Sequence, residues 1–292
     1  MRRGQLVLVV ACGLLVVFLY LWGNRQKPME IAMKEMQAGA EQMKGNKANS
    51  SSSATITVPK EQLTQHIDAL QNQLPDSQKD SIRQLENTLS KTPKDPKTLA
   101  NLSELWEKYQ APTAAAYYAN QLANLDTSQL ENLKKAGDLS YQAFHLTKDS
   151  MLFAYYVDNS YHFFEKLTQL EPENLDNRIN FAATLIEGRN EVMPGIFALR
   201  EVVQQEPNNI RANFLLGRLA IVSGQNDKAI ERLRLVTSID SLNSEAWYYL
   251  GDAYARMGEK DKSLAAFARC RKLINDPAFD AELDKYIQQI FQ

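Results

Sequence analysis

The sequence predicts an all-α chain of about five to six helical hairpins, closed by a C-terminal capping helix and preceded by one N-terminal transmembrane helix. Three observations predict it. Gly217, Gly224, Asp227 and Lys228 recur as Gly251, Gly258, Asp261 and Lys262, a spacing of 34 residues. Glycine (12) and proline (10) are scarce among 292 residues, a balance that favours helices over a turn-rich sheet fold. Residues 6–22 form an apolar run without a single charge.

The last repeat unit is the most regular. Its first helix carries Trp247, Leu250, Gly251 and Tyr254, its turn Gly258, and its second helix Ser263, Phe267 and Cys270. This order and spacing resembles the tetratricopeptide repeat (TPR) family, whose signature is W-x2-L-G-x2-Y, then A-x3-F, then P. The closing proline is displaced to Pro277. The resemblance implies a right-handed α-solenoid. The steric reading is that Gly251 and Ser263 mark close approach of two antiparallel helices. Trp247, Leu250, Tyr254 and Phe267 then fill the space towards the preceding hairpin, a face that no single hairpin could bury alone.

Upstream the pattern fades. Residues 210–241 keep Leu216, Gly217, Gly224, Ala229 and Leu233, with Ala220 in the aromatic position. Residues 175–207 keep Phe181, Ala182, Leu185, Leu199 and Pro207, but the second helix opens at Met193-Pro194-Gly195 after one extra residue. Before that, Ala136 and Gly137 pair with Phe164, Leu167 and Pro172 over a distance 11 residues above the ideal. That excess predicts longer helices or a loop near Lys148-Asp149. A further pair spans about 97–126 (Leu102, Trp106, Ala115, Ala119, Leu122), and residues 59–92 (Leu63, Ile67, Leu70, then Ile82, Leu85, Leu89) read as one more degenerate hairpin. In the tail from Pro277, Phe279, Leu283, Tyr286, Ile287 and Ile290 share one face, as expected of a cap over the last repeat.

The domain reading is therefore an anchor over 1–27, a juxtamembrane helix and linker over 28–57, and a repeat domain over 58–292. Its best repeats are 175–207, 210–241 and 244–277, with the cap at 277–292. The run 6–22 is near the minimum length for a bilayer-crossing helix, and Tyr20 and Trp22 suit an interface belt. A retained signal anchor is the favoured reading. A lipoprotein anchored at Cys12 (Val9-Val10-Ala11-Cys12 resembles a lipobox) and a cleaved secretory signal are the rivals. A short basic N-tail (Arg2, Arg3) is expected to stay in the cytoplasm, which places the C-terminal body on the outer, periplasmic side of the cell membrane. Residues 28–44 carry Met29, Met33, Met36 and Met43 at loosely helical spacing, open to reading as a self-pairing or lipid-lying helix or as a frayed stalk. The Ser/Asn/Ala-rich stretch 45–57 reads as a linker.

The net charge is −2. Residues 1–27 hold four bases and no acid, which leaves 29 bases against 35 acids and a mildly acidic body of about −6. That balance does not favour nucleic acid. The two cysteines, Cys12 and Cys270, form no disulfide framework and no metal spacing. His66, His145 and His162 lack ligand spacing, and no GxSxG, P-loop or GxGxxG occurs, so neither a catalytic set nor a metal site nor a cofactor is expected.

The TPR resemblance implies that partners lie in the groove lined by the first helices. There Ile179, Arg211, Phe214, Arg218, Tyr248 and Asp252 are the candidate partner-binding residues, suited to a protein or peptide. Arg218 and Asp252 occupy equivalent positions and are alternatively read as pairing with each other. The carboxylate-clamp positions of some relatives hold Ile179, Ala183, Leu215, Glu245 and Tyr249 here, a set that cannot grip a carboxylate. The sequence thus points to a membrane-anchored interaction scaffold of the kind bacteria use in envelope assembly. The alternative is a structural, homo-oligomeric membrane protein.

Overall fold

A computed structural model describes residues 60–291. The expected anchor, juxtamembrane helix and linker lie outside the described residues. Among the described residues no helix is long and apolar enough to cross a membrane. Among the described residues there are thirteen α-helices and no strands: α1 Lys60–Asn72, α2 Asp76–Lys91, α3 Pro96–Lys108, α4 Pro112–Ala123, α5 Leu130–Leu146, α6 Ser150–Leu170, α7 Leu175–Ala183, α8 Val192–Gln205, α9 Ile210–Val222, α10 Asn226–Ile239, α11 Ser244–Arg256, α12 Lys260–Ile274 and α13 Pro277–Ile290. They fall into two compact units, which divide between Ala212 and Asn213.

The first helices α3, α7, α9 and α11, together with α13, share a start signal that is visible in the sequence once its geometry is known, and α5 lacks it. Asp95, Asn174, Asn209, Asn243 and Asp276 each place a side-chain oxygen on a backbone N–H of the first turn of the helix that follows, at 2.8–3.1 Å (Thr98, Asp176, Ala212, Ala246 and Ala278). Each capped N–H is a donor that the helix cannot satisfy internally. The second helices α4, α8, α10 and α12 start differently, without a side-chain cap. At Gly224 and Gly258, φ is +73° and +75°, and the bonds Gln225 N→Ala220 O (2.8 Å) and Glu259 N→Tyr254 O (2.9 Å) close each first helix with a left-handed residue. Hairpin α3–α4 makes the same closure, Ala111 N→Trp106 O at 3.0 Å, but Gln110 holds the left-handed position at φ 58°.

In the unit 60–212, Leu99, Leu102, Trp106, Phe144, Tyr156, Phe163 and Phe164 form the centre of one apolar cluster. The excess length noted between Gly137 and Pro172 is taken up by long helices rather than a long loop. α5 has 17 residues and α6 has 21, and only residues 147–149 join them. Asp149 caps α6 by accepting from Met151 N and Leu152 N. The extra residue in 175–207 is absorbed differently. Residues Thr184–Gly188 form one π-helical turn after α7, and a π turn is how a helix accommodates a one-residue insertion.

The first expected hairpin is not built as expected. α1 packs on α4 rather than along α2, because Leu63 and Ile67 join the cluster that contains α4 and α6. The regular hairpins in this unit are α3–α4, α5–α6 and α7–α8.

In the unit 213–291, Leu233, Tyr248, Leu250, Phe267, Cys270 and Leu283 form the core. Gly251 is the point of closest helix approach: a Cβ there would lie 2.6 Å from the Phe267 ring. The Phe267 ring is its nearest neighbour, and Ser263 is fully buried. α13 starts one residue short of the period, since Asp276 follows Asn243 by 33 residues and Asn243 follows Asn209 by 34. Ala281, Glu282, Lys285 and Gln288 keep its outer face exposed and mostly polar, while Phe279 and Leu283 are buried beneath it.

A left-handed residue with a Cβ costs about 1–2 kcal/mol relative to glycine, less the entropy glycine adds to the unfolded chain. Gln110→Gly is therefore expected to stabilise the chain by about 0.5–1 kcal/mol and Gly258→Gln to destabilise it by a similar amount, read from urea unfolding midpoints.

Candidate functional site

The candidate surface is assembled from first-helix positions, and each unit contributes its own patch. In the unit 60–212 the exposed side chain is Arg211, at the start of α9. Its guanidinium reaches back to α7, with Nη1 3.3 Å from Asp176 Oδ1 and Nη2 donating to Asn180 Oδ1 at 2.5 Å. Asn180 Nδ2 in turn donates to Asp138 Oδ1 on α5 at 3.4 Å. Burial raises the Asp138 carboxyl above its ordinary value, against the opposing pull of Lys134 and Arg211. The result is a polar ladder across three successive first helices. Ile179, expected on this surface, is fully buried and offers nothing to a partner.

In the unit 213–291 the patch is aromatic. Phe214 on α9 and Tyr249 on α11 meet edge to face with centroids 5.8 Å apart. The Arg218 guanidinium lies over both rings, at 5.8 Å from Phe214 and 5.5 Å from Tyr249. Phe214 and Arg218 are half-exposed. Cation and ring thus hold each other in place, which lowers the entropy a ligand would have to remove.

Two further candidates leave the surface here. Tyr248 is 1% exposed, packed on Phe267 (5.8 Å) and Tyr286 (6.1 Å), and burial first, then Tyr286 and Asp252, pushes its phenol well above the ordinary tyrosine value. Asp252 is also 1% exposed. Its carboxylate accepts from Arg256 Nε at 2.9 Å and from the Tyr286 hydroxyl. Buried in this way it serves the seating of α13 and is closed to a ligand. Arg218, Asp252 and Tyr286 are spaced by 34 residues, so the pairing of Asp252 with Tyr286 joins equivalent positions of successive units. Asn180 and Asp138 were not among the expected partner-facing residues, although both lie on first helices, within two residues of the small positions Ala182 and Gly137.

The remaining expected positions build the repeat. Leu216, Gly217, Ala229, Leu250, Gly251, Tyr254 and Phe267 are buried, Trp247 is half-buried with Nε1 donating to Ser241 O at 3.0 Å, and Gly224 and Gly258 occupy the turns. Of the histidines, His66 sits 3.0 Å from Thr113 Oγ1, His145 lies 3.3 Å from Glu187, and His162 packs beside Phe163. Among the described residues no three His, Cys, Asp or Glu side chains converge as metal ligands.

Residues 196–242 and 244–276 each match a family model described as a tetratricopeptide repeat. No curated protein matches the chain. Solved structures that resemble it include "MamA 41-end from Desulfovibrio magneticus RS-1", at 19% identity and TM-score 0.48 over 62% of this chain and 95% of that one. Another is "YrrB: a TPR protein with an unusual peptide-binding site", at 19% identity and TM-score 0.43 over 69% of this chain and 97% of that one. The two matched segments coincide with the helices that carry the 34-residue period: over 196–242 and 244–276 the chain carries tetratricopeptide repeats.

Proposed function

We propose that the chain is a single-pass, membrane-anchored interaction scaffold whose repeats hold a protein or peptide partner. The anchor is the run 6–22, with the N-terminus cytoplasmic and the repeat body on the periplasmic side. Lipid attachment at Cys12 is the alternative anchor. Envelope protein assembly is the setting this layout suits.

The observation that carries the binding reading is the Phe214–Arg218–Tyr249 patch. It combines the half-exposed Phe214 ring with a guanidinium, both on α9 and backed by the buried Tyr249 ring of α11, and Arg is among the residue types that dominate binding energy at protein interfaces. The buried state of Asp252 and Tyr248 narrows what it can recognise. A ligand here meets the Phe214 ring and the guanidinium packed over it, so an aromatic or aliphatic side chain fits best.

Peptides selected from a displayed library against the full chain in detergent should lose at least about tenfold in affinity with Arg218→Ala, and a similar amount with Phe214→Ala, at unchanged helicity. Equal affinity for wild type and both variants would remove the patch from the proposal. For the membrane arm, protease added to intact spheroplasts should cleave the 58–292 body, and alkaline carbonate should not extract the chain. A protected body would reverse the orientation. Self-association, the other reading of the sequence, predicts a concentration-dependent oligomer in light scattering.

A further inference from the structure

α1 does not sit as a repeat helix sits. Leu63 and Ile67 are its buried apolar residues, with Leu70 packed at the edge of the same cluster. Its polar ties reach three other helices. His66 Nε2 lies 3.0 Å from Thr113 Oγ1 in the first turn of α4. Gln62 Nε2 donates at 3.3 Å to Asp149, the residue that caps α6. Gln71 Nε2 donates at 3.3 Å to Glu86 on α2. His66 falls between Leu63 and Ile67 in the sequence of the docked face, so its imidazole is part of the interface.

The geometry points to α1 being a pH-operated latch, docked on α4 and the start of α6 through a neutral His66 and released when that imidazole takes up a proton.

The groups around His66 set the direction. α4 brings Thr113, whose neighbours Pro112, Ala114 and Ala115 have no ionisable group. α6 brings Asp149 at its cap and Tyr156, whose hydroxyl is spent on Thr113 O at 2.8 Å. α2 brings Glu86, which is engaged by Gln71 and by the Tyr118 hydroxyl at 2.9 Å. Asp149 is the one charge acting on His66, and it favours the imidazolium. It is also committed: hydrogen bonds from Leu152 N, Met151 N and Gln62 hold its carboxyl below the ordinary range, so it stays ionised through the whole interval in which His66 titrates. Burial outweighs it, and the His66 imidazole is held below its ordinary 6.5.

Because the docked helix binds the proton less readily than the free one, docking is strongest above about pH 6.5 and weakens as the pH falls through and below that value. α1 lies between the repeats and the run 6–22 in the sequence. On the membrane-anchored reading above, release would add 13 residues to the tether, up to about 45 Å of reach if fully extended. The latch itself does not depend on that reading.

Hydrogen exchange of the full chain in detergent, followed by mass spectrometry at pH 7.5 and pH 5.0 and corrected for intrinsic rates, tests it. Protection of residues 60–72 should fall several-fold at the lower pH relative to residues 260–274. His66→Gln, which keeps a donor for Thr113 and cannot ionise, should show no such fall. Equal pH dependence in wild type and His66→Gln, or none in wild type, overturns the proposal. An NMR titration of labelled histidine gives a second reading: a His66 midpoint under 6.5 supports the latch, and one above 6.5 overturns it.

Discussion

The repeat depends on one steric condition: the eighth residue of each first helix must be small. Ser103, Gly137, Ala182, Gly217 and Gly251 hold that position in α3, α5, α7, α9 and α11, and all five are buried. The second helix then brings a side chain against the backbone. A Cβ would lie 2.6 Å from Phe267 at Gly251, 2.9 Å from Leu233 at Gly217 and 3.0 Å from Phe164 at Gly137. In α3–α4 the hydroxyl of Ser103 uses the closeness to donate to Ala115 O at 3.2 Å. In α7–α8 the missing Cβ moves to the other helix, where Gly195 would meet Ala182 O at 2.9 Å. Every other apolar contact of the hairpin follows from this spacing, because side chains near a dense interface cannot retreat without leaving a void.

The same condition fixes which side chains face outward. With the small residue pointing to the second helix, the residue one position on, in α9 and α11, is turned about 100° away from it. That position holds Arg218 and Asp252, and in α13 its equivalent is Tyr286. The three have diverged in use. Arg218 stays half-exposed over its rings, whereas Asp252 and Tyr286 have been drawn into the seating of α13. A capping helix with a mostly polar outer face must attach firmly to the last repeat, and a buried charge-assisted pair does this at the expense of one groove position.

Legibility followed the chemistry of the turns. Where glycine supplies the left-handed residue, at Gly224 and Gly258, the period could be read directly. Where Gln110 takes that conformation the turn left no mark, because nothing in a glutamine announces a positive φ. The long α5 and α6 were legible as excess length, but not whether helix or loop absorbed it. The π turn at Thr184–Gly188 was legible only as one residue too many. α1 was misplaced because an amphipathic stripe gives the buried face and not the surface that buries it. For the surface, the helical phase placed Arg211, Phe214 and Arg218 outward. It failed at Ile179, Tyr248 and Asp252, since neighbouring helices that cover a face are long-range facts that local period cannot report.

A double-mutant cycle at the last repeat tests the steric condition most directly. Gly251→Ala alone forces the Phe267 ring to move, at a cost of about 1–3 kcal/mol in urea unfolding. Phe267→Leu alone costs about 1–2 kcal/mol from lost burial. If the small residue matters because Phe267 lies on it, the double variant will be more stable than the sum predicts, by at least about 1 kcal/mol. Additivity within about 0.5 kcal/mol would show that the two residues do not constrain each other, and would contradict the account.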